Sequence, residues 1–361
     1  MGSSSTTGDR LSELKAFDET KTGVKGLVDA GVTKVPRIFI NENDHKQFGP
    51  TSDGISIVPI IDFNGINDAA TRAQIVNKVK EASERYGIFQ IINHELPLSI
   101  MDEMIEGVRR FNEQDTEVKK QYYTRDPTKK FQYNSNFNIY TLVAAAWKDN
   151  FLARLIPNPP DSQELPDVCR DIMFDYAKHV TKVGNTVYEL LSEAMGLKPS
   201  HLKEIGCVET VSIVGNYYPA CPQPELALGA ISHVDYGLLT ILLQDKTGGL
   251  QVLCQDDQWV DVPVVSGGLI INVGDFIQLI TNDKFKSVRH RALVKKESTR
   301  ISVATFLSPL QTDNIRMYGP IKELITEDEP AIYKDTTFQD FLTFYFTQTV
   351  DGTAKLPHFK L

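Results

Sequence analysis

Cysteine is scarce: the 361-residue chain has four, Cys169, Cys207, Cys221 and Cys254, and no Cys-x-x-Cys pair. That is too few for a disulfide framework at this length, so the chain reads as a protein of a reducing, cytoplasmic setting. Clustered basic residues are also missing, and the formal net charge is -9. A sequence-independent grip on nucleic acid or on an anionic membrane needs such clusters, so no nucleic acid and no membrane is expected as a partner. There is no apolar run long enough to span a bilayer and no apolar signal region at the N-terminus. Met1-Gly2-Ser3-Ser4-Ser5-Thr6 fits the loose myristoylation pattern but lacks a second anchoring signal, and it reads as a polar leader. Gly248-Gly249 and Gly267-Gly268 are followed by no Walker lysine and no strand-to-helix step, so they read as hairpin turns and not as phosphate loops.

What is present is ordinary globular composition, 41% hydrophobic and 24% charged, in a chain long enough for one large domain or two packed ones. Residues 1–55 are polar with little periodicity and are expected to form a loosely ordered leader. The part 56–165 opens on a β-rich run at Val58–Phe63. A helix follows, marked by Ile75, Val79, Ala82 and Tyr86, capped by Asn67 or Asp68 and ended at Gly87. Ile88–Ile92 is the next strand, and Ile100, Met104, Ile105, Val108 and Phe111 mark a second helix. The stretch 122–140 carries mixed signals, with Asn134–Asn138 read as loop. The part 166–205 is a long helical support, one helix or two joined near Gly184.

Residues 206–310 change period. Short β-rich runs at 211–218, 226–232, 237–243, 250–253, 258–262, 269–273, 277–280, 287–294 and 300–307 predict a sandwich or barrel. The segment 311–361 returns to helix, with Phe338, Phe341, Leu342 and Phe346 facing back onto the barrel.

Within the β-rich part, His233 and Asp235 stand two apart in an extended run, so their side chains are expected on one face. Two such donors chelate a first-row metal if a third arrives from elsewhere in the fold, and His290 is the candidate. His-x-Asp alone is weak, since a lone His beside an Asp is more often a hydrogen-bonded pair. His45, His94, His179, His201 and His358 have no partner at ligand spacing and read as surface or capping histidines.

Taken together, Val58-Pro59-Ile60-Ile61-Asp62, Gly87–His94, Asn216-Tyr217-Tyr218-Pro219, His233-Val234-Asp235 and Arg300-Ile301-Ser302 resemble, in this order, the motifs of plant 2-oxoglutarate- and Fe(II)-dependent dioxygenases. The leader residues Glu13–Lys21 and Gly26–Asp29 are similar to the branch called 1-aminocyclopropane-1-carboxylate oxidase homologs, whose known members hydroxylate alkaloids, benzoxazinoids and glucosinolates. The resemblance implies an α+β fold with a double-stranded β-helix (jelly-roll) core, an N-terminal α/β region and flanking helices. It implies Fe(II) held by His233, Asp235 and His290, with 2-oxoglutarate and O2 as co-substrates and ascorbate as reductant. Two His and one carboxylate leave three metal positions open, which suits a chelating 2-oxo acid and dioxygen.

The far carboxylate of 2-oxoglutarate then needs a fixed cation. A guanidinium grips a carboxylate in two places, so Arg300 is expected there, with Ser302 beside it on an inward strand face. The resemblance adds Tyr218 on the same carboxylate and Asn216 near the metal-bound end. A surface ion pair of Arg300 with Glu297 is the bland alternative.

The chain departs from the usual pattern at Val234, Tyr236 and Glu95, the last with no evident link to the site. The implied product chemistry is hydroxylation, with demethylation, desaturation or ring closure as variants, and succinate and CO2 as by-products. The expected substrate is a small, largely apolar specialised metabolite, bound by Tyr133, Tyr236 and Phe306, and the protein is expected to act as a monomer. Two other functions remain open on the sequence. One is 1-aminocyclopropane-1-carboxylate oxidase, which typically has Asn-Tyr-Pro-Pro where Asn216-Tyr217-Tyr218-Pro219 stands; the other is a non-catalytic jelly-roll binding protein.

Overall fold

The computed structural model describes residues 4–41, 58–254, 257–310, 315–348 and 354–361, so Met1–Ser3 of the myristoylation pattern and the leader beyond Asn41 lie outside the described residues. The leader forms helices α1 (Ser4–Thr20) and α2 (Gly23–Asp29). Strand β1 (Ile60–Asp62), helix α3 (Ala69–Arg85), strand β2 (Ile88–Ile92) and helices α4 (Leu98–Asn112) and α5 (Thr116–Lys120) follow. Next come strands β3 (Phe131–Asn134) and β4 (Asp149–Ile156), then helices α6 (Arg170–Ala194) and α7 (His201–Glu204).

The β-rich part holds β5 (Thr210–Tyr218), β6 (Leu228–His233), β7 (Leu239–Gln244), β8 (Leu250–Leu253), β9 (Trp259–Asp261) and β10 (Leu269–Val273). After helix α8 (Asp275–Ile280) come β11 (His290–Leu293) and β12 (Arg300–Ser308). The short strands β13 (Met317–Tyr318) and β14 (Thr336–Thr337) and helix α9 (Phe338–Thr347) follow.

The strands build a jelly roll. One sheet runs β1-β2-β10-β7-β12-β5-β4-β3 and the other β6-β11-β8-β9. The larger sheet is apolar on both faces, which is why its strands read as near-continuous hydrophobic runs. Ile213, Ile241, Ile271 and Val303 turn to the core shared with the helices; Val214, Leu242, Ile270 and Ala304 turn to a second core with Leu250 and Val252 of the smaller sheet. Because β7 and β10 lie in the larger sheet and β8 and β9 in the smaller, Gly248-Gly249 and Gly267-Gly268 are crossings between sheets and not hairpins.

Helices α3, α4 and α6 cover the outer face of the larger sheet. Asp68 is the cap of α3, accepting from the Thr71 amide at 2.9 Å. Helix α6 is single, without a break at Gly184. A Cβ there would lie 2.4 Å from Leu307 Cδ2, so the glycine serves close approach of α6 to β12. The run 277–280, expected as strand, is helical instead: a short, wholly buried apolar stretch has no periodicity to separate the two states. Its Phe276 ring meets Phe338 and Phe341 of α9 at 4.8 Å each, so the C-terminal segment does pack back.

The expectation of a loosely ordered leader fails for its described part. Leu14, Phe17, Val24, Val35, Ile38 and Phe39 are buried against Trp147, Tyr218 and Ala292. The Phe39 ring stands 5.2 Å from both Phe17 and Trp147. Helix α2 is pinned by Asp149, whose carboxylate accepts the Val24 and Lys25 amides at 2.8 Å each, a favourable place for an anion. The apolar residues are too sparse to give a stripe in the sequence, and the anchor lies far along the chain.

Gly87 marks a tight backbone approach beside the sheet. Its φ is +67°, and a Cβ would sit 2.3 Å from the Lys286 carbonyl oxygen. Gly87→Ala should therefore destabilise the fold by about 2 kcal/mol or more, read as a lower urea midpoint at unchanged slope. An unchanged midpoint would show that the α3–β2 turn relaxes without strain.

Candidate active site

Two strand pairings assemble the site. Antiparallel β6 and β11 set His233 directly opposite His290. Antiparallel β5 and β12 set Tyr218 opposite Arg300 and Asn216 opposite Ser302. His233 is the last residue of β6, so Asp235 lies in the turn beyond the strand and not on its continuing face. The turn still delivers the carboxylate: Asp235 Oδ1 is 3.9 Å from His233 Nε2 and 3.7 Å from His290 Nε2. The three ligand atoms lie within 4.8 Å of one another.

Neighbouring groups fix these side chains as ligands. His233 Nδ1 lies 2.7 Å from the Ile231 carbonyl oxygen and His290 Nδ1 lies 3.2 Å from that of Val288. A carbonyl only accepts, so each Nδ1 carries the proton and each Nε2 presents a lone pair inward. Asn272 donates to the other oxygen of Asp235 at 3.1 Å. Burial, and then the neighbouring His290, push the His233 imidazole down to about 4, which keeps it neutral. Burial alone would raise the Asp235 carboxyl, but His290, His233, Thr240 and Asn272 together hold it below the usual range. Two imidazoles and an ionised carboxylate around one point fit Fe(II).

The seven residues His233, Asp235, His290, Asn216, Tyr218, Arg300 and Ser302 all line one cavity of about 610 Å³. Arg300 is buried in it. Its Nε donates to the Gly248 carbonyl at 2.7 Å, one terminal nitrogen to Ser302 Oγ at 3.2 Å and the other to Gln244 Oε1 at 3.1 Å. It makes no ion pair with Glu297. The Tyr218 hydroxyl is 3.4 Å from Ser302 Oγ, and the guanidinium lies 4.8 Å from the Tyr218 ring centre. A buried guanidinium held only by neutral partners is suited to an incoming carboxylate.

Tyr236 and Phe306 line the same cavity, stacked at 6.5 Å, and Phe346 of α9 closes on Tyr236 at 5.1 Å. Tyr133 does not reach it. On β3, Gln132 and Asn134 face the cavity, while Phe131 and Tyr133 point to the helix side, with the Tyr133 ring 5.0 Å from Phe111. The period of two, applied to a stretch read as loop, would have made that assignment.

Strand β4, which the sequence reading passed over, supplies Leu152 and Arg154 to the cavity, with Lys148 just ahead of it, while Phe151, Ala153 and Leu155 face the core. Apolar residues at alternate positions were the available signal. Lys148 donates to Asn216 Oδ1 at 3.1 Å. Of the remaining histidines, His94 is buried, with Nε2 3.0 Å from the Gly267 carbonyl oxygen, a structural role. Glu95 has φ +64°, which explains why a glycine suits that turn.

A pair of imidazoles and one carboxylate, with a separate buried guanidinium in the same cavity, defines a non-haem iron oxygenase that takes a 2-oxo acid. The chain belongs to that family. Residues 210–309 match the 2OG-Fe(II) oxygenase superfamily, and residues 58–169 match the non-haem dioxygenase in morphine synthesis N-terminal family. The chain is 50% identical to deacetoxyvindoline 4-hydroxylase of Catharanthus roseus, over 98% of this chain and 90% of that one. It is 49% identical to 1-aminocyclopropane-1-carboxylate oxidase homolog 12 of Arabidopsis thaliana, over 98% of each. Among solved structures, JOX2 in complex with 2OG, Fe and JA superposes with TM-score 0.82 at 28% identity, covering 94% of this chain and 97% of that one. The chain is thus a 2-oxoglutarate-dependent dioxygenase that uses Fe(II) and O2, an enzyme and not a binding module.

The depressed His233 value fixes a pH dependence. Between about 4 folded and 6.5 unfolded, the unfolded chain binds the extra proton, so the metal-free protein loses stability as pH falls through that window. His233→Gln should flatten this part of a melting-temperature profile. A profile with the same slope in the variant would assign the loss to another group.

Proposed function

We propose that the enzyme hydroxylates, or otherwise oxidises, a small and largely apolar specialised metabolite such as an alkaloid. His233, Asp235 and His290 hold the iron. Arg300, Ser302 and Tyr218 take the far carboxylate of 2-oxoglutarate, and Asn216 stands at its metal-bound end. With both present, the site couples decarboxylation of 2-oxoglutarate to succinate and CO2 with oxidation of a substrate C–H bond by O2.

The observation that carries the reading is the β5–β12 register, which puts Arg300 and Ser302 opposite Tyr218 and Asn216 in the cavity that the three ligands share. Tyr218, standing where 1-aminocyclopropane-1-carboxylate oxidase typically has proline, favours 2-oxoglutarate over that reading. Tyr236, Phe306 and Phe346 give an apolar wall that orients a ring-bearing substrate, and α9 limits access of water. The alkaloid-hydroxylating relative supports that class of substrate. No helix among the described residues is long and apolar enough to cross a membrane, in keeping with a cytoplasmic enzyme, and we take it to act as a monomer.

Succinate release on candidate metabolites, with and without 2-oxoglutarate, tests the reading. Removing one partner of a buried charge-assisted contact costs roughly 2 to 5 kcal/mol, so Arg300→Ala should raise the 2-oxoglutarate requirement about 30-fold or more. An unchanged requirement would mean that another cation takes the carboxylate.

Tyr236→Ser should change substrate choice or the position of oxidation much more than it changes 2-oxoglutarate affinity. An unaltered product profile, or stimulation only by peptides, amino acids or nucleic acids, would contradict this account of the pocket.

A further inference from the structure

Lys148 is a cation that the chemistry above leaves unused. It lies deep in the iron cavity and also lines a second cavity of about 520 Å³, reached from the first past His233, Val234 and Tyr236. Arg300, Ser302 and Tyr218 do not line that second space. Of the three N–H donors on Lys148, one reaches Asn216 Oδ1 at 3.1 Å, and no carboxylate pairs with it among the described residues. The adjacent Asp149 is turned to the other side of β4 by strand alternation, where it holds the amides of α2. Burial works most strongly against the Lys148 ammonium; Tyr218 favours it and Arg300 repels it. A desolvated ammonium so placed costs stability unless an anion meets it.

The two carboxylates of 2-oxoglutarate already have partners in the reading above, the iron at one end and Arg300 at the other. Lys148 stands instead where the two cavities meet, just before β4, from which Leu152 and, beyond it, Arg154 near Tyr236 also face the iron cavity. We propose that Lys148 is a specificity-determining residue for the substrate: it binds a carboxylate on an otherwise apolar molecule and so sets which carbon faces the iron. This rests on the functional reading above and narrows its substrate class to acids. The half-buried Arg154, whose side chain donates to the Lys129 carbonyl at 2.8 Å, is the rival cation.

The test uses the full chain loaded with Fe(II) and 2-oxoglutarate in the absence of oxygen. Phenylacetate and its methyl ester are titrated separately, and binding is read from the visible charge-transfer absorption of iron with a chelated 2-oxo acid. Wild type should bind the acid at least about tenfold more tightly than the ester, since only the acid meets the ammonium with a charge. Lys148→Met should remove that preference, Lys148→Arg should keep it, and the Met variant should melt no lower than wild type, because an apolar isostere relieves the unpaired charge.

Equal affinity for acid and ester in wild type, or binding of neither, overturns the proposal. So does a preference that survives Lys148→Met or that disappears in Arg154→Met instead. A Lys148→Met protein that needs at least about tenfold more 2-oxoglutarate while still preferring the acid also overturns it, by assigning Lys148 to the co-substrate. Should the wild-type absorption itself fail to develop, the iron and 2-oxoglutarate assignment falls and takes this inference with it; a normal absorption without acid preference sinks this inference alone.

Discussion

The pairing of β12 with β5 is the constraint on which the rest of the site depends. It runs without a slip from Arg300 opposite Tyr218 to Ser308 opposite Thr210. A slip of β12 by one residue would send Arg300 and Ser302 to the helix side of the sheet, away from Asn216 and Tyr218 on β5, because strand side chains alternate faces. Register is held by burial on both faces. Ile301 and Val303 belong to the helix-side core and Ala304 to the core between the sheets, so each out-of-register state exposes or misplaces apolar groups. Packing energy far larger than any polar contact in the cavity thus fixes the distance between the guanidinium and the metal ligands.

The smaller sheet works by the same logic with fewer residues. β6 and β11 bring the two imidazoles face to face, ring centres 4.3 Å apart, although they are far apart in the chain. The Asp235 carboxylate reaches both of them, at 3.9 and 3.7 Å. The backbone carbonyls of Ile231 and Val288 and the amide of Asn272 hold the three in place, so the arrangement is preorganised for a divalent cation. The leader adds a third layer. Phe39 packs on Trp147, the residue before Lys148, and Asp149 ties α2 to the start of β4, so the first 41 residues help fix the strand that floors the pocket.

Much of this was legible in the sequence. His233, Asp235, His290 and Arg300 could be proposed because they stand in the order and spacing of a known set of motifs, His-x-Asp alone being weak, and Gly87 and Asp68 because each marks a helix end by its own geometry. What escaped depends on partners remote in sequence. α8 and a strand present the same short apolar run, and only contact with Phe338 and Phe341 decides between them. β4 shows its alternation only between Phe151 and Leu155, and its inward row has meaning only beside β5. Tyr133 was placed in the pocket for being aromatic; its strand turns it toward Phe111. The order of the leader rests on Asp149 and Trp147, which no local periodicity reveals.

The central claim is that one cavity holds the metal between His233, Asp235 and His290 and the co-substrate on Arg300. A crystal structure of the protein with Fe(II) and 2-oxoglutarate, measured at the iron absorption edge without oxygen, tests it most directly. The account predicts one anomalous peak bonded to His233 Nε2, Asp235 Oδ1 and His290 Nε2, with 2-oxoglutarate chelating it and its far carboxylate on the Arg300 guanidinium. An anomalous peak away from these three atoms, or a co-substrate whose far carboxylate leaves Arg300 empty, would contradict it.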